Sequence, residues 1–138
     1  MIVVDMWYVA TMIVASVSGQ SIDGAERSAM LDAARIPVSE ELGKPPVLVV
    51  KQLNRAGDWA FLFADMQQQG GAPYDYTGTP KSEAARRGLV SRSYAALLRK
   101  TDHGWRVVEA AIGPTDVAWE GWPAKYGVPR ELFGFDER

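Results

Sequence analysis

The chain has 138 residues, of which 47% are hydrophobic and 23% are charged, and its formal net charge is −2. This composition is typical of one ordinary globular domain, and it lacks the basic excess of non-specific nucleic-acid binders. Cysteine is absent and His103 is the single histidine, which excludes disulfides and thiolate sites and argues against multi-histidine metal sites. We therefore expect no metal, no other cofactor and no nucleic-acid partner.

The first 20 residues form the most apolar stretch of the chain. Residues 6–17 are almost entirely apolar, and the small residues 17–19 resemble the cleavage site of a secretory signal. The stretch is shorter than the roughly 20 apolar residues that a membrane-spanning helix needs. We expect residues 1–20 to be a cleaved signal peptide, so that the mature protein is periplasmic or secreted and has no membrane span.

The charge pattern of this stretch leaves an alternative open. A secretory signal usually begins with positive charges, but here Lys and Arg are absent and Asp5 is present. The alternative is an apolar amino-terminal segment that forms a buried first strand, built on residues 2–4 and 8–10. In either case residues 21–138 contain no repeat and no internal linker, and they are predicted to form one domain.

A long helix is predicted at the start of this domain. Asp23 is a typical N-cap residue, and Glu26 stands where the glutamate of a capping box reaches back to the cap. The residues that follow are strong helix formers with apolar side chains at helical spacing. Pro37 predicts a kink, and Gly43 predicts that the helix ends after Leu42.

Two β-hairpins are predicted after the helix. The first joins strands at residues 47–53 and 59–66 through a polar turn. The second joins strands at residues 91–100 and 105–112 through a turn that Gly104 closes. Along the strand at 59–66, aromatic residues alternate with smaller ones. This alternation predicts that one face of the sheet packs against a helix and the other against a thinner layer.

The rest of the chain predicts irregular structure with short helical turns. Residues 67–81 are polar and rich in Gly and Pro, as functional or disordered loops are, and one helical turn is predicted at residues 82–87. In the tail, a short helix is predicted at residues 115–119, and Pro123 is predicted to break it. A last turn is predicted at residues 131–133.

These elements predict an α+β fold with short carboxyl-terminal helical turns. A curved antiparallel sheet of about four strands, formed by the two hairpins, wraps one long amino-terminal helix and leaves a concave face. The order of elements resembles the cystatin-like and nuclear-transport-factor-2-like folds, in particular through residues 94–100 and 104–108. The chain also resembles small exported bacterial proteins, through residues 57–61, 105–109 and 112–116. The resemblance implies a fold and implies no reaction.

Asp65 is a candidate for acid–base catalysis. It ends a predicted strand on the same alternating face as Phe61 and Phe63, where an inward carboxylate would have a raised pKa. The alternative is a strand-end residue already in water. His103 is the other residue type suited to a general base, but its place in a tight turn favours simple exposure.

Glu109 is the second catalytic candidate. It alternates with Trp105 and Val107 on the last predicted strand, so it would point into a concave face and pair there with Arg92 or Arg99. Otherwise it is a solvated residue of the sheet.

The long loop supplies the ligand-binding candidates. Tyr74, Asp75 and Tyr76 are predicted recognition residues, because tyrosine combines a large contact area with a polar tip. Arg92, at the start of the next strand, completes the predicted ligand-binding set. The alternative is that the aromatic rings pin the loop to the surface of the domain.

The sequence contains no phosphate-binding loop, nucleophile elbow or zinc signature. We therefore predict a secreted, non-catalytic binding domain that presents the concave face and the loop of Tyr74 and Tyr76 to a small ligand or a protein partner. The first alternative is an isomerase-like or hydratase-like enzyme with Asp65 or Glu109 as its base. The second is an interaction protein that forms a homodimer through its sheet.

Overall fold

The structure is a computed structural model that describes residues 21–136. The long helix α1 spans Gly24–Leu42, and the short helices α2 and α3 span Ser82–Arg86 and Trp122–Tyr126. The strands are β1 (Val47–Ala56), β2 (Trp59–Gln67), β3 (Ser93–Thr101) and β4 (Gly104–Ile112), and a 3-10 turn spans Arg130–Phe133. The predicted α+β fold class, with its four-stranded antiparallel sheet and one long helix, is confirmed. The predicted signal at residues 1–20 lies outside the described residues.

The strands follow one another in the sheet in the order β1-β2-β3-β4. Both predicted hairpins are confirmed, and their turns are tighter than predicted, because only residues 57–58 join β1 to β2 and only residues 102–103 join β3 to β4. Gly57 has a φ of 60°, a left-handed value that a two-residue hairpin turn needs and that favours glycine.

Helix α1 begins and ends where the sequence predicts. A carboxylate oxygen of Asp23 accepts a hydrogen bond of 2.8 Å from the backbone N–H of Glu26. Gly43 adopts a left-handed φ of 79° at the carboxyl end, and α1 continues through Pro37 to this cap. The capping box is only half formed. The side chain of Glu26 does not return to the cap, because it belongs to a charged cluster with the sheet.

The two faces of the sheet bury different kinds of side chain. The helix face, which packs against α1, carries small residues such as Ala60 and Ala96 opposite Met30 and Val38 of the helix. The tail face carries Phe61 and is covered by the carboxyl-terminal segment, through Trp122, Val128, Leu132 and Phe133. The predicted division of aromatic from smaller residues is confirmed. The sequence leaves open whether the concave face is open or filled, and in the central strands packed side chains cover both faces.

The tail differs from its prediction. Residues 115–121 form turns rather than a helix, and α3 begins later, at Trp122. Pro123, predicted to break a helix, lies in the first turn of α3, where a missing N–H costs nothing and the fixed φ of proline suits a helix. The last turn follows Pro129, as predicted.

Candidate functional site

The predicted binding residues lie at one end of the sheet. The hairpin end contains the turns at residues 57–58 and 102–103 and the amino terminus of α1. The loop end contains the carboxyl terminus of α1 and the connecting loop, residues 68–81, which leads from β2 to α2. Each end has its own set of charged side chains, and the two sets differ in how they are paired.

Two buried tyrosines hold the connecting loop against the domain. Tyr74 and Tyr76 are only 2% and 3% exposed, and their rings meet edge to face at 5.2 Å. The hydroxyl of Tyr74 donates to the carbonyl of Lys44 at 2.8 Å, and that of Tyr76 donates to the carbonyl of Ser91 at 2.5 Å. Burial raises the pKa of Tyr76 to about 12. The rings therefore pin the loop, as in the predicted alternative, and they have little exposed area to offer a ligand.

Lys44 and Asp75 fix the tip of the loop. The ammonium group of Lys44 donates to the carbonyls of Asp75 and Thr77, at 3.0 and 2.5 Å. The carboxylate of Asp75 accepts the backbone N–H of Thr77 at 2.9 Å, which closes a local turn. The pKa of Asp75 is lowered by this hydrogen bond with Thr77 and by the positive charges of Lys44 and Arg92. The Asp75 residue is exposed, so its charge is available at the surface.

A glycine after β4 permits the contact that anchors Tyr76. Gly113 has a φ of 69°, and a Cβ atom there would lie 2.8 Å from the Tyr76 hydroxyl and 2.9 Å from the Ser91 carbonyl. Both distances are shorter than real Cβ contacts. Gly113 also exchanges backbone hydrogen bonds with Ser91 and Ser93. Only glycine therefore allows β4 to end this close to the loop.

Arg92 is the predicted residue with the most unused hydrogen-bonding capacity. Its Nε donates to the carbonyl of Tyr74 at 2.7 Å, which orients the guanidinium group. Arg92 is exposed, and among residues 21–136 it has no carboxylate within ion-pair distance. A guanidinium group has five N–H donors, and this contact uses one of them. Arg92 can therefore bind a ligand without losing its place in the loop.

Three clefts border the loop end, and two of them contain Arg92. The Asp65 cleft measures about 290 Å³ and is lined by Asp65, Met66, Gln67, Pro73, Arg92 and Ser93. The second, of about 150 Å³, is lined by Asp75, Tyr76, Thr77, Ser82, Ala85, Arg86 and Arg92. The third, of about 290 Å³, is lined by Lys44, Pro45, Gln68, Gln69, Tyr74 and Asp75. The fold thus gathers Asp65, Asp75 and Arg92 around one loop.

Asp65 lies at the rim of the sheet rather than in an apolar pocket. Its side chain is 42% exposed, and its carboxylate faces the ammonium group of Lys51 at 3.5 Å. The apolar enclosure that the predicted acid–base role requires is absent from its surroundings within residues 21–136. Asp65 is therefore suited to attract a positive group at the Asp65 cleft.

Glu109 lies elsewhere, and both its predicted direction and its predicted partners are wrong. Leu98 pairs with Val107 but Leu97 pairs with Glu109, so that Val108 is an extra residue, a β-bulge. The bulge turns Glu109 to the tail face, away from the helix face of Val107. Its carboxylate accepts hydrogen bonds from Lys125 at 2.8 Å and from the Tyr126 hydroxyl at 2.6 Å.

These two donors lower the pKa of Glu109, Lys125 more than Tyr126. The predicted partners are occupied elsewhere: Arg92 binds the Tyr74 carbonyl, and Arg99 stacks on Trp59 at 5.2 Å. A carboxylate held by two donors on a folded tail is a structural contact.

At the hairpin end the charges are paired within the fold. The carboxylate of Glu26 accepts hydrogen bonds from Arg55, from Lys100 at 2.8 Å and from the Trp105 indole N–H at 3.3 Å. The Lys100 hydrogen bond is the largest cause of the lowered pKa of Glu26. Arg55 and Lys100 also lie over the Trp105 ring, at 5.3 and 6.0 Å. His103 is exposed in its turn and contacts none of these groups.

Sequence reasoning missed three residues of the loop end: Lys44, Gln67 and Ser93. Lys44 reaches the loop across a separation of 31 residues, and no local pattern indicates such a contact. Gln67 and Ser93 end and begin strands, and they meet Arg92 only because β2 and β3 are neighbours. The strand order could have indicated this pair, because sequential hairpin strands bring the end of one to the start of the next.

The part of the chain that the structure describes contains no group of three or more His, Asp or Glu side chains that could hold a metal ion. No helix within residues 21–136 is both long and apolar enough to cross a membrane. Comparison with known proteins finds no matching family model, no significantly similar curated protein and no significantly similar solved structure.

Proposed function

We propose that this protein is a non-catalytic binding domain that recognises a small ligand or a protein partner at the loop end. The observation that carries the proposal is the position of Arg92, held by one hydrogen bond to the Tyr74 carbonyl at 2.7 Å and bordering two clefts. Positioned polar groups on a loop that a rigid scaffold holds are the usual material of binding sites. The buried rings of Tyr74 and Tyr76 provide that rigidity.

A preorganised loop favours binding because less conformational entropy is lost when the ligand arrives. Four side chains donate hydrogen bonds to the backbone of the connecting loop or to adjoining backbone: Lys44, Tyr74, Tyr76 and Arg92. The carboxylate of Asp75 accepts one from the backbone N–H of Thr77. The alternative of an isomerase-like or hydratase-like enzyme requires a carboxylate base in an enclosed site. Asp65 is solvated and Glu109 is held by two donors, so neither supports that alternative.

We further propose that the protein is exported and that its fold is similar to those of certain small exported bacterial proteins. The apolar composition of residues 1–20 supports export to the periplasm or to the cell exterior. The order of α1 followed by a four-stranded antiparallel sheet supports a likeness to small exported bacterial proteins with cystatin-like or nuclear-transport-factor-2-like folds.

Native mass spectrometry of the full chain, expressed in a Gram-negative host and recovered from the periplasm, tests this proposal. One spectrum gives the amino terminus, the oligomeric state and any retained mass. We expect a chain that lacks residues 1–20 and carries a bound molecule or partner. The double variant Asp75→Ala/Arg92→Ala should lose the retained mass, whereas the control Asp102→Ala/His103→Ala, at the exposed turn of the hairpin end, should keep it.

Three results would contradict the proposal. A retained mass that survives the loop-end variant and disappears in the hairpin-end variant would move binding to the other end of the sheet. Turnover of a substrate that stops in Asp65→Asn or Glu109→Gln would make the protein an enzyme. A bare dimer of constant mass would favour the homodimer alternative.

A further inference from the structure

The Asp65 cleft combines opposite charges in a small space. Its lining residues include Arg92 and Asp65, which carry opposite charges, and Gln67 and Ser93, whose side chains end in an amide and a hydroxyl. Pro73 contributes the apolar part of the lining. At about 290 Å³ the cleft lies at the lower limit of the size range for small-molecule sites, so its ligand must be small.

The sheet register brings these charges together. Asp65 at the end of β2 pairs with Ser93 at the start of β3, and the backbone N–H of Met66 donates to the carbonyl of Arg92 at 2.8 Å. The two charged side chains therefore start from adjoining positions on neighbouring strands. Since the strands are paired there, their backbones place the two residues at the same end of the sheet.

The existing contacts of both charges leave room for a ligand. Arg92 uses only its Nε, so the outer edge of the guanidinium group can bind a carboxylate through two parallel hydrogen bonds. Asp65 faces Lys51 at 3.5 Å, and these side chains are 42% and 54% exposed. Such solvent-exposed pairs contribute little free energy, so the ammonium group of a ligand can compete with Lys51.

We infer that the Asp65 cleft binds a small zwitterion, with its carboxylate on Arg92 and its ammonium group on Asp65. A free amino acid and a short peptide share this chemistry. A simple anion satisfies Arg92 alone and leaves Asp65 as a repulsive neighbour. A simple cation binds Asp65 alone and is repelled by the positive charge of Arg92. The inference rests on the proposed binding function and narrows it to one class of ligand.

Titration of the ¹⁵N-labelled protein with four probes tests the inference. L-Alanine carries both charges, N-acetyl-L-alanine carries only the carboxylate, and L-alaninamide carries only the ammonium group. We expect L-alanine to shift the Arg92 Nε–H signal and the amides of Gln67 and Ser93. Each single-charge analogue should bind about tenfold more weakly or worse, since each lacks the charge-assisted hydrogen bonds of one end of the zwitterion. Dialanine, the fourth probe, is also a zwitterion. If it binds more tightly than L-alanine, the zwitterionic ligand is a short peptide rather than a free amino acid.

Two variants and one control test the role of each charge separately. Arg92→Gln should abolish discrimination in favour of the carboxylate, and Asp65→Asn should abolish discrimination in favour of the ammonium group. Arg99→Gln, at the other end of β3, should behave like the unaltered protein. Well-dispersed amide spectra establish that each variant is folded.

Equal shifts with L-alanine and N-acetyl-L-alanine would overturn the inference, because they would mean that the cleft selects anions only. The absence of shifts with L-alanine and dialanine at high millimolar concentration would also overturn it. A retained mass in the periplasmic experiment together with no L-alanine response would refute the ligand class and leave the binding role standing. If the protein retains no mass in the periplasmic experiment and does not respond to L-alanine, both the ligand class and the binding role are refuted.

Discussion

The two ends of the sheet use charge in opposite ways. At the hairpin end, Glu26 is enclosed by three donors, and the cations that pair with it also cover the ring of Trp105. At the loop end, Arg92 has no carboxylate within ion-pair distance among the described residues and borders two clefts. Charged groups whose hydrogen bonds are filled within the fold have few donors or acceptors left, whereas charged groups beside a cleft are available to a ligand. This difference locates the proposed binding site.

The largest loss of stability is expected when the Tyr76 ring, which pins the connecting loop, is removed. Tyr76→Ala should lower the free energy of unfolding by about 3–5 kcal/mol, because it empties a buried aromatic site. Tyr76→Phe should cost about 1–2 kcal/mol, because it removes only the donor to the Ser91 carbonyl. Urea denaturation measures both. If Tyr76→Ala unfolds at the same urea concentration as the unaltered protein, the ring is not a core residue and the loop is not pinned.

Substitutions at the hairpin end should lower the stability of the fold and leave ligand binding unchanged. Arg55→Met removes an ion pair with Glu26 and a cation–π contact, and should cost about 1–2 kcal/mol. The matched control is Arg99→Met. Arg99 lies over Trp59 at 5.2 Å but, within residues 21–136, has no ion-pair partner, so the loss should be smaller. Thermal unfolding ranks the two variants, and a larger loss for Arg99→Met would contradict the role assigned to this cluster.

Acid should loosen the tip of the loop. The folded-state pKa of Asp75 is lower than its unfolded value, so its contribution to stability is complete above the ordinary pKa of about 3.9 and is lost as pH falls through the folded pKa. The backbone amide of Thr77, which donates to this carboxylate, should report the transition. An NMR titration should place its midpoint below the ordinary pKa of an aspartate, and Asp75→Asn should abolish the transition. A midpoint above that ordinary pKa would contradict the hydrogen bond.

The smallest effect on stability should come from the residue that matters most for binding. Arg92→Gln should change the free energy of unfolding by less than about 0.5 kcal/mol, since the side chain is exposed and makes one hydrogen bond. If Arg92 binds a ligand as proposed, the affinity of the protein for that ligand should nevertheless fall about tenfold or more. A stability loss as large as that of Arg55→Met would mean that Arg92 is a structural residue.

The sequence predicts the secondary structure of this domain well, because local rules determine it. The N-cap Asp23, the terminating Gly43 and both hairpin turns are recognisable from residue type and spacing. The alternation of aromatic with smaller residues in β2 predicts that its two faces pack against different layers, one of them a helix. Each of these signals depends only on neighbours in the chain, which is why they can be read without a structure.

The candidate site is less predictable, because tertiary contacts determine it. The single extra residue Val108 reverses the face of Glu109, and no local pattern marks such a bulge. Tyr74 and Tyr76 are of a residue type that is common in recognition sites, yet their burial gives them a structural role. Asp65 and Arg92 were both predicted as candidates, but for different roles. Only strand pairing shows that they border one cleft.

Hydrogen–deuterium exchange tests most directly whether the loop end is the binding end. Exchange would be measured on the tagged full chain in buffer and in concentrated periplasmic extract, with recovery of the protein before analysis. We expect slower exchange at residues 67–80 and 92–93 in the extract, and unchanged exchange at residues 56–59 and 101–104. Protection confined to the hairpin turns, or no protection at all, would contradict binding at the loop end.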